Sequence, residues 1–324
     1  MSVITDTVRP EPGPGEVVIE VAAIGLNRAE TMYRRDEYIE PLRVPGGLGY
    51  EASGTVAQVG AGVTSVEVGD RVSTLSAHSM QDYWSYGDYA VMPERSVRRL
   101  PRGVEFHEGA SIWNSWLTSH LALVEVVGLR AGQTVLVPAA ASSTGIAAIQ
   151  IAKRAGCEVI ATCRTTAKRE RLVDLGADHV IVTDLEDVVA GTLDRTAGAG
   201  ADVIFDPVGG DFTSSMFDAV APNGTILVYG VITGTSFTAQ AFPMMAKSII
   251  LRGFTIFDFA GSPQLGKTAN VAALNRSVDD LTAGFEMGRF RTVVHDQTFT
   301  LDEIVDAHRL MESGAQFGKI IVTT

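Results

Sequence analysis

Between Thr134 and Lys168 the chain runs TVLVPAAASSTGIAAIQIAKRAGCEVIATCRTTAK. A short apolar run, Val135 to Val137, gives way to a loop of small residues from Ala139 to Gly145. A second apolar run, Val159 to Ala161, is followed by Arg164 and Lys168. Between them Ile146, Ile149 and Ala152 recur at helical spacing, opposite Gln150, Lys153 and Arg154. The order is strand, loop, helix, strand. Two strands joined through a helix in this way lie parallel, and a parallel sheet needs helices covering its faces.

The rest of the chain has two textures around this unit. Up to about Arg102 it consists of short β runs punctuated by Gly and Pro, at Glu16–Ala23, Gly54–Gly60, Asp70–Leu75 and Tyr89–Pro93. This spacing of turn signals predicts an irregular, mostly β domain. From about Glu105, helical segments separate six candidate strands: Thr134–Val137, Glu158–Thr162, Val180–Val182, Val203–Phe205, Thr225–Tyr229 and Ile249–Phe254. Six is the number in a full doubly wound dinucleotide-binding sheet. After about Leu265 the pattern is helical, and Thr292–Phe299 and Lys319–Thr323 read as strands returning to the first domain. The expected division of the 324 residues is therefore 1–102, completed by about 265–324, and 103–264.

Composition narrows the partners. A formal net charge of −12, spread without acidic blocks, argues against nucleic-acid and anionic-membrane partners. The two cysteines, Cys157 and Cys163, are expected to be reduced, buried and structural. Without a signal peptide or an apolar run long enough to span a bilayer, the expected location is cytoplasmic.

The loop meets the helix near Ser143 and Thr144, where free backbone N–H groups and the positive end of the helix dipole suit a pyrophosphate. It has one glycine, Gly145, in place of the usual three, and Ser142 stands where backbone approaching phosphate is usually Gly. Taken alone, the loop is a weak signal and also fits an ordinary βα turn with a serine N-cap. The second strand is more telling. It ends Thr162-Cys163-Arg164-Thr165-Thr166-Ala167-Lys168-Arg169, with no carboxylate to hold the ribose hydroxyls of NAD. Arg164, Lys168 and the Thr165 hydroxyl suit a 2′-phosphate instead. Cations at a helix start oppose its dipole, so an anionic partner accounts for them. NADPH is the expected cofactor.

Short motifs in a fixed order support this reading: Pro12-Gly13-Pro14-Gly15-Glu16-Val17, Gly25-Leu26-Asn27-Arg28-Ala29-Glu30, Leu48-Gly49-Tyr50-Glu51-Ala52-Ser53-Gly54, Val68-Gly69-Asp70-Arg71-Val72, Asp206-Pro207-Val208-Gly209-Gly210 and Gly318-Lys319-Ile320-Ile321-Val322. Through them the chain resembles the medium-chain dehydrogenase/reductase superfamily, and within it the zinc-independent quinone oxidoreductase-like branch. The resemblance implies an α/β fold in which a GroES-like β domain accompanies a Rossmann domain with a six-stranded parallel sheet. It also implies an active site in the cleft between them, and a homo-oligomer, a dimer first. Compared with those relatives, the chain opens where a first strand is already complete, so a shortened or truncated start is expected. Metal-dependent relatives carry a zinc-binding cysteine where this chain has Leu26-Asn27, and no cysteine precedes Cys157. His78, His107, His120, His179, His295 and His308 show no ligand spacing, and no metal is expected.

The same resemblance assigns residues. Asn27 matches an asparagine bordering the nicotinamide and substrate, and Glu30 stands where relatives more often have Asp. Tyr38 matches a tyrosine that donates a proton in enoyl-reducing relatives, and reads equally as a cleft-lining aromatic. Thr118 matches a threonine near the nicotinamide, and Thr183 a residue alongside the adenosine. Tyr229, Gly230, Val231 and Ile232 follow the fifth strand, whose C-terminal end meets the nicotinamide. With Ser142, Ser143, Thr144, Gly145, Arg164, Thr165 and Lys168, these form the expected cofactor site, and Asn27 and Tyr38 are the catalytic candidates.

Without a zinc constellation, hydride transfer to a quinone or to the activated C=C bond of an α,β-unsaturated carbonyl is favoured over alcohol dehydrogenation, with Tyr38 or water supplying the proton. The loop His78–Tyr86, with Trp113 and Trp116, is expected to wall a flat conjugated or aromatic substrate, or else to be packing. Two alternatives stand beside this reading: an enoyl reductase of polyketide or acyl-thioester intermediates, and a non-catalytic NADPH-binding sensor.

Overall fold

Strand β1 (Glu16–Gly25) is buried along most of its length because it is paired on both edges. Strand β2 (Glu51–Val59) runs antiparallel along its whole length, with register shifts at Val18/Ile19 and Val21/Ala23. Such bulges bend and twist the strand. Strand β3 (Arg71–Thr74) continues the sheet beyond β2, β4 (Tyr89–Pro93) pairs the first half of β1, and β5 (Val97–Arg99) pairs β3. A computed structural model describes residues 8–324, so residues 1–7 of the expected first domain, and the expectation about the start of the chain, lie outside the described residues. The chain divides into two compact units: residues up to Leu117 together with Ile256–Thr324, and Thr118–Thr255.

The second unit is a six-stranded sheet, parallel throughout, of β6 (Thr134–Val137), β7 (Glu158–Cys163), β8 (His179–Val182), β9 (Ala201–Asp206), β10 (Val220–Val228) and β11 (Ile250–Gly253). Its spatial order is β11-β10-β9-β6-β7-β8. The chain winds outward from β6 through β8, then returns to the other side of β6 to lay down β9 through β11. That reversal opens a crevice at the C-terminal ends of β6 and β9, the switch point of the doubly wound architecture. The core beneath is Leu136, Ile160, Ile181, Ile204, Phe217 and Ile226 with their neighbours.

The last segment pairs with the first sheet. Strand β13 (Ile321–Thr323) pairs antiparallel with the second half of β1, and β12 (Phe299–Thr300) pairs parallel with β13. The expected strand over Thr292–Phe299 is corrected: only Phe299 of it pairs in a strand, and Val294 makes a lone bridge to Lys319. Strand propensity alone places no segment in a sheet without a partner edge. The packed side of this unit gathers Val17, Ile19, Val21, Ile24, Val56, Val72, Met92 and Val322.

Candidate active site

In the second unit the loop after β6 turns through Ala139, a non-glycine residue at φ 48°. Its amide and that of Ala140 donate to the side chain and carbonyl of Thr162, which joins this loop to the end of β7. Ser142 is the N-cap of the helix Ser143–Arg154, its Oγ accepting from the Gly145 amide at 3.1 Å. The serine that departs from the glycine pattern is thus spent on capping, and the amides of Ser143 and Thr144 begin the helix with no carbonyl one turn before them. Gly145 has no room for a side chain: a Cβ there would meet Ala140 at 2.6 Å. One glycine is therefore required by the close approach of the helix start to the loop at Ala140, and the other glycine positions of the usual loop are filled by Ala139 in a left-handed conformation and by a capping serine.

At the end of β7, Arg164 and Thr165 are exposed and Lys168 is half-buried. Desolvation, and then the Arg164 charge beside it, lower the Lys168 pKa. Two cations held close to one another make this turn a site of positive potential. Thr183 and Asp184, following β8, donate their amides to the carbonyls of Cys163 and Arg164, so Arg164, Thr165, Lys168 and Thr183 lie together. Thr118 is half-buried, and the next residue, Ser119, donates its hydroxyl to the Thr144 carbonyl at 2.9 Å.

On the other lip of the crevice, β9 ends at Asp206, which accepts from the Thr213 hydroxyl at 2.5 Å and the Val208 amide at 2.7 Å. Burial pushes the Asp206 carboxyl above its ordinary range. Tyr229 and Ile232 donate their amides to Asp206 and Pro207, which brings the Tyr229–Ile232 loop against this turn. A Cβ on Gly230 would meet the Pro207 carbonyl oxygen at 2.8 Å, so only glycine permits that approach. The Tyr229 ring stacks on Phe205 with centroids 3.9 Å apart, and its buried hydroxyl has no hydrogen-bond partner among the described residues. An orphaned hydroxyl, open helix-start amides and a cationic turn along one sheet edge fit an anionic nucleotide.

The first unit holds a buried polar network around Asn27, which is 6% exposed. Its Oδ1 accepts from Lys319 Nζ at 2.5 Å and from Asn114 Nδ2 at 2.6 Å. Its Nδ2 donates to the Gly25 carbonyl and to Glu30 Oε1, each at 3.1 Å. An ammonium can only donate, so the atom facing Lys319 must be the oxygen. Every donor and acceptor of the Asn27 amide is thereby engaged. Lys319 also pairs with Glu51, which accepts from the Asn114 amide, and Ser76 donates to Asn114.

Glu30, fully buried, accepts four hydrogen bonds: from the Asn27 amide at 2.6 Å, Asn27 Nδ2, the Tyr50 amide at 3.1 Å and the Tyr86 hydroxyl at 2.7 Å. Burial raises its pKa against the pull of these donors. The longer side chain at this position keeps its contacts. Tyr86 also meets His308 Nε2 at 3.1 Å, and burial lowers the His308 pKa to about 4. Tyr38 is half-buried, its ring 6.4 Å from those of Tyr33 and Tyr50, and desolvation pushes its phenol above the ordinary value.

For the tryptophans, packing is the reading that the structure supports. Trp113 and Trp116 are 0% and 1% exposed, Trp113 donating to Ser73 and Trp116 packed on Phe285 and Phe290. They are core residues, and no substrate reaches them. In the loop from His78 to Tyr86, His78, Met80 and Ser85 are buried, whereas Trp84 is exposed over Gly47. Residue-by-residue reading missed Glu51, Asn114, Lys319 and Glu40. A lone Glu and a lone Lys inside apolar strand motifs were the available signal for the first and third.

A family model described as alcohol dehydrogenase GroES-like domain matches residues 13–102, and one described as zinc-binding dehydrogenase matches residues 143–271. Among the described residues no group of three or more His, Cys, Asp or Glu is placed to hold a metal ion. A quinone oxidoreductase of Pseudomonas aeruginosa is 32% identical over 313 residues, 96% of this chain and 92% of that protein. A highly reducing polyketide synthase of Penicillium soppii is 28% identical over 311 residues, 95% of this chain but 12% of that protein. The crystal structure of Escherichia coli quinone oxidoreductase complexed with NADPH is similar at a TM-score of 0.88 and 25% identity, covering 99% of this chain and 95% of that one.

Proposed function

Because the chain belongs to the quinone oxidoreductase-like branch of the medium-chain dehydrogenase/reductase superfamily, we propose that it reduces quinones, or the activated C=C bond of α,β-unsaturated carbonyls, with NADPH. The observation that carries this reading is the Arg164–Lys168 turn: two close cations, in place of a carboxylate, beside the open helix start at Ser143. Bound nicotinamide would supply the hydride.

The residues divide the remaining work. The amides of Ser143 and Thr144 hold the pyrophosphate, with Ser142 fixing the turn and Gly145 letting the helix start close on Ala140. Arg164, Thr165 and Lys168 hold the 2′-phosphate, and Thr183 lies along the adenosine. Thr118 and the loop Tyr229, Gly230, Val231 and Ile232 shape the nicotinamide end, with the free Tyr229 hydroxyl as a donor. Asn27 has no hydrogen-bonding capacity to spare, so it serves as a fixed wall held by Lys319, Asn114 and Glu30. Tyr38 gives the proton that balances the hydride. In this reading residues 1–102 and 265–324 supply the catalytic part and 103–264 the NADPH part of a cytoplasmic homodimer.

The test follows NADPH oxidation against a panel of enones and quinones. Turnover with at least one class supports the reading. No turnover with any acceptor sinks it, and NADPH binding without turnover favours a sensor. The similarity to a segment of a polyketide synthase supports a second reading, an enoyl reductase, which a strict requirement for thioester-linked acceptors would select.

A further inference from the structure

Two of the four donors on Glu30 come from Asn27 itself: the backbone amide on Oε2 at 2.6 Å and Nδ2 on Oε1 at 3.1 Å. Glu30 thus grips both nitrogens of one residue, but contacts made within the pair cannot fix the pair against the rest of its unit. Among the described residues, the donors from other segments are the Tyr50 amide on Oε1 at 3.1 Å and the Tyr86 hydroxyl on Oε2 at 2.7 Å. Each carboxyl oxygen therefore has one contact to Asn27 and one anchor from elsewhere. The Tyr86 hydroxyl is one of these two anchors, and the pathway above gives it no task.

Tyr86 is itself fixed on three sides. Its amide donates to the Leu48 carbonyl at 3.0 Å, and its ring lies against Gly49, where a Cβ would meet it at 2.4 Å. Its hydroxyl meets His308 Nε2 at 3.1 Å, with the two rings edge to face and their centroids 5.8 Å apart. His308 is buried on the helix Ile304–Ser313, whose Ala307 and Met311 pack in the same core as β1. Its Nδ1 has no partner, so among the described residues the polar contact of this ring is with Tyr86 alone. The line holds with its hydrogens in either arrangement. A carboxylate accepts from the phenol, whose oxygen takes Nε2–H; a carboxylic acid donates to the phenol, which donates on to Nε2.

We propose that Tyr86 is a positioning residue for the reaction: its hydroxyl, held by His308, keeps the Glu30 carboxyl group in the place from which it grips Asn27. This rests on the reading of Asn27 as the wall beside the reacting groups. No proton travels along the line. It acts by holding the Asn27 backbone and side-chain nitrogens still, and a small displacement of a wall beside the reacting atoms lowers turnover more than binding.

The experiment compares wild type with Tyr86→Phe, Glu30→Asp, their double variant, His308→Met and His308→Gln. It measures kcat and KM with one quinone and one enone at saturating NADPH, together with the Kd for NADPH. Tyr86→Phe should lower kcat about three- to tenfold on both acceptors, the span that one net hydrogen bond covers, with KM and the NADPH Kd little changed. Glu30→Asp, one methylene shorter, should release the phenol and lose kcat in the same way. The double variant should then lose no more than the larger single loss. His308→Met should repeat part of the Tyr86→Phe loss, and His308→Gln, whose amide can still bond the phenol, should restore it. A second readout needs neither cofactor nor acceptor. Side-chain amide NMR of the cofactor-free protein should show the Asn27 Nδ2 protons shifted in Tyr86→Phe and His308→Met, and close to wild type in His308→Gln. An Asn27 amide that does not move, a kcat unchanged in Tyr86→Phe, additive losses in the double variant, or equal losses in both His308 variants would overturn the positioning role. A wild type that reduces neither acceptor would overturn the reductase reading, and the amide spectra would still decide the hold on Asn27. Should Tyr86→Phe not fold, His308→Met against His308→Gln makes the same comparison.

Discussion

Lys319 and Glu51, 268 residues apart in the chain, form an ion pair at 1% and 0% side-chain exposure. Lys319 comes just before β13 and Glu51 opens β2, so the pair ties the returning C-terminal segment to the sheet begun near the N-terminus. Lys319 then holds Asn27 by its oxygen. Removing one partner leaves the other charge enclosed. Lys319→Met should therefore destabilise the protein by about 3–5 kcal/mol, and Glu51→Gln by a comparable amount. The double variant should lose clearly less than the sum, as urea unfolding of all four proteins would measure. Additive losses would mean that the pair is not coupled.

The helix start at Gly145 gives a second prediction. Its Cβ would lie 2.6 Å from Ala140 Cα and 2.7 Å from its carbonyl oxygen, and neither is a flexible group. Gly145→Ala should cost about 1–3 kcal/mol by forcing the helix start away from the loop at Ala140. The same displacement moves the Ser143 and Thr144 amides, so NADPH affinity should fall with stability. Calorimetric titration beside thermal unfolding checks both.

Ala139 carries the opposite expectation. A left-handed alanine costs roughly 1–2 kcal/mol in the fold, and replacing it with glycine returns about 0.4–1 kcal/mol of unfolded-state freedom. Ala139→Gly, at φ 48°, should therefore be neutral or stabilising by up to about 1 kcal/mol. A loss of stability in denaturant unfolding would show that the Ala139 methyl packs in a way that offsets the strain.

His78 sets an acid limit. It is 3% exposed, and among the described residues neither ring nitrogen meets a partner at full hydrogen-bond geometry, although the backbone of Gly49 and Leu75 lies close. Burial, with the Arg95 charge, lowers its pKa from 6.5 to about 4. The unfolded chain binds the proton first, so the stability tied to the neutral ring is complete above pH 6.5 and is lost as pH falls toward 4. The raised carboxyls of Glu30 and Glu40 act oppositely: their contribution is present at acid pH and is lost as pH rises through their folded-state values. A difference between variants separates the two. His78→Phe should gain on wild type as pH falls across that window, by on the order of a few kcal/mol. A constant gap would assign the acid sensitivity elsewhere.

Much of this architecture was legible in the sequence, and the gaps have physical causes. Thr134–Val137 and Tyr89–Pro93 are strands at the expected limits, because continuous apolar runs bounded by turn residues have few other uses. Val97–Arg99 was not recognised, since Arg98 and Arg99 hide a strand that, among the described residues, pairs with β3 alone. In the loop after β6, the departure at Ser142 was visible but its capping role was not, because capping depends on where the helix begins. Asn27 was found from its motif. Its saturation was invisible, because two of its four partners, Asn114 and Lys319, come from segments distant in the chain. For Trp113 and Trp116 the sequence left lining and packing open, because an aromatic residue type does not say which of its faces is covered.

The central claim is that a 2′-phosphate is held at the end of β7. Arg164→Ala/Lys168→Ala leaves the buried part of β7 untouched, so it isolates that contact. Titrating the double variant with NADPH and with NADH measures the claim directly. NADPH affinity should fall at least about tenfold while NADH affinity changes by less than about twofold, since only the 2′-phosphate uses the two cations. Equal weakening of both dinucleotides, or none of either, would contradict it.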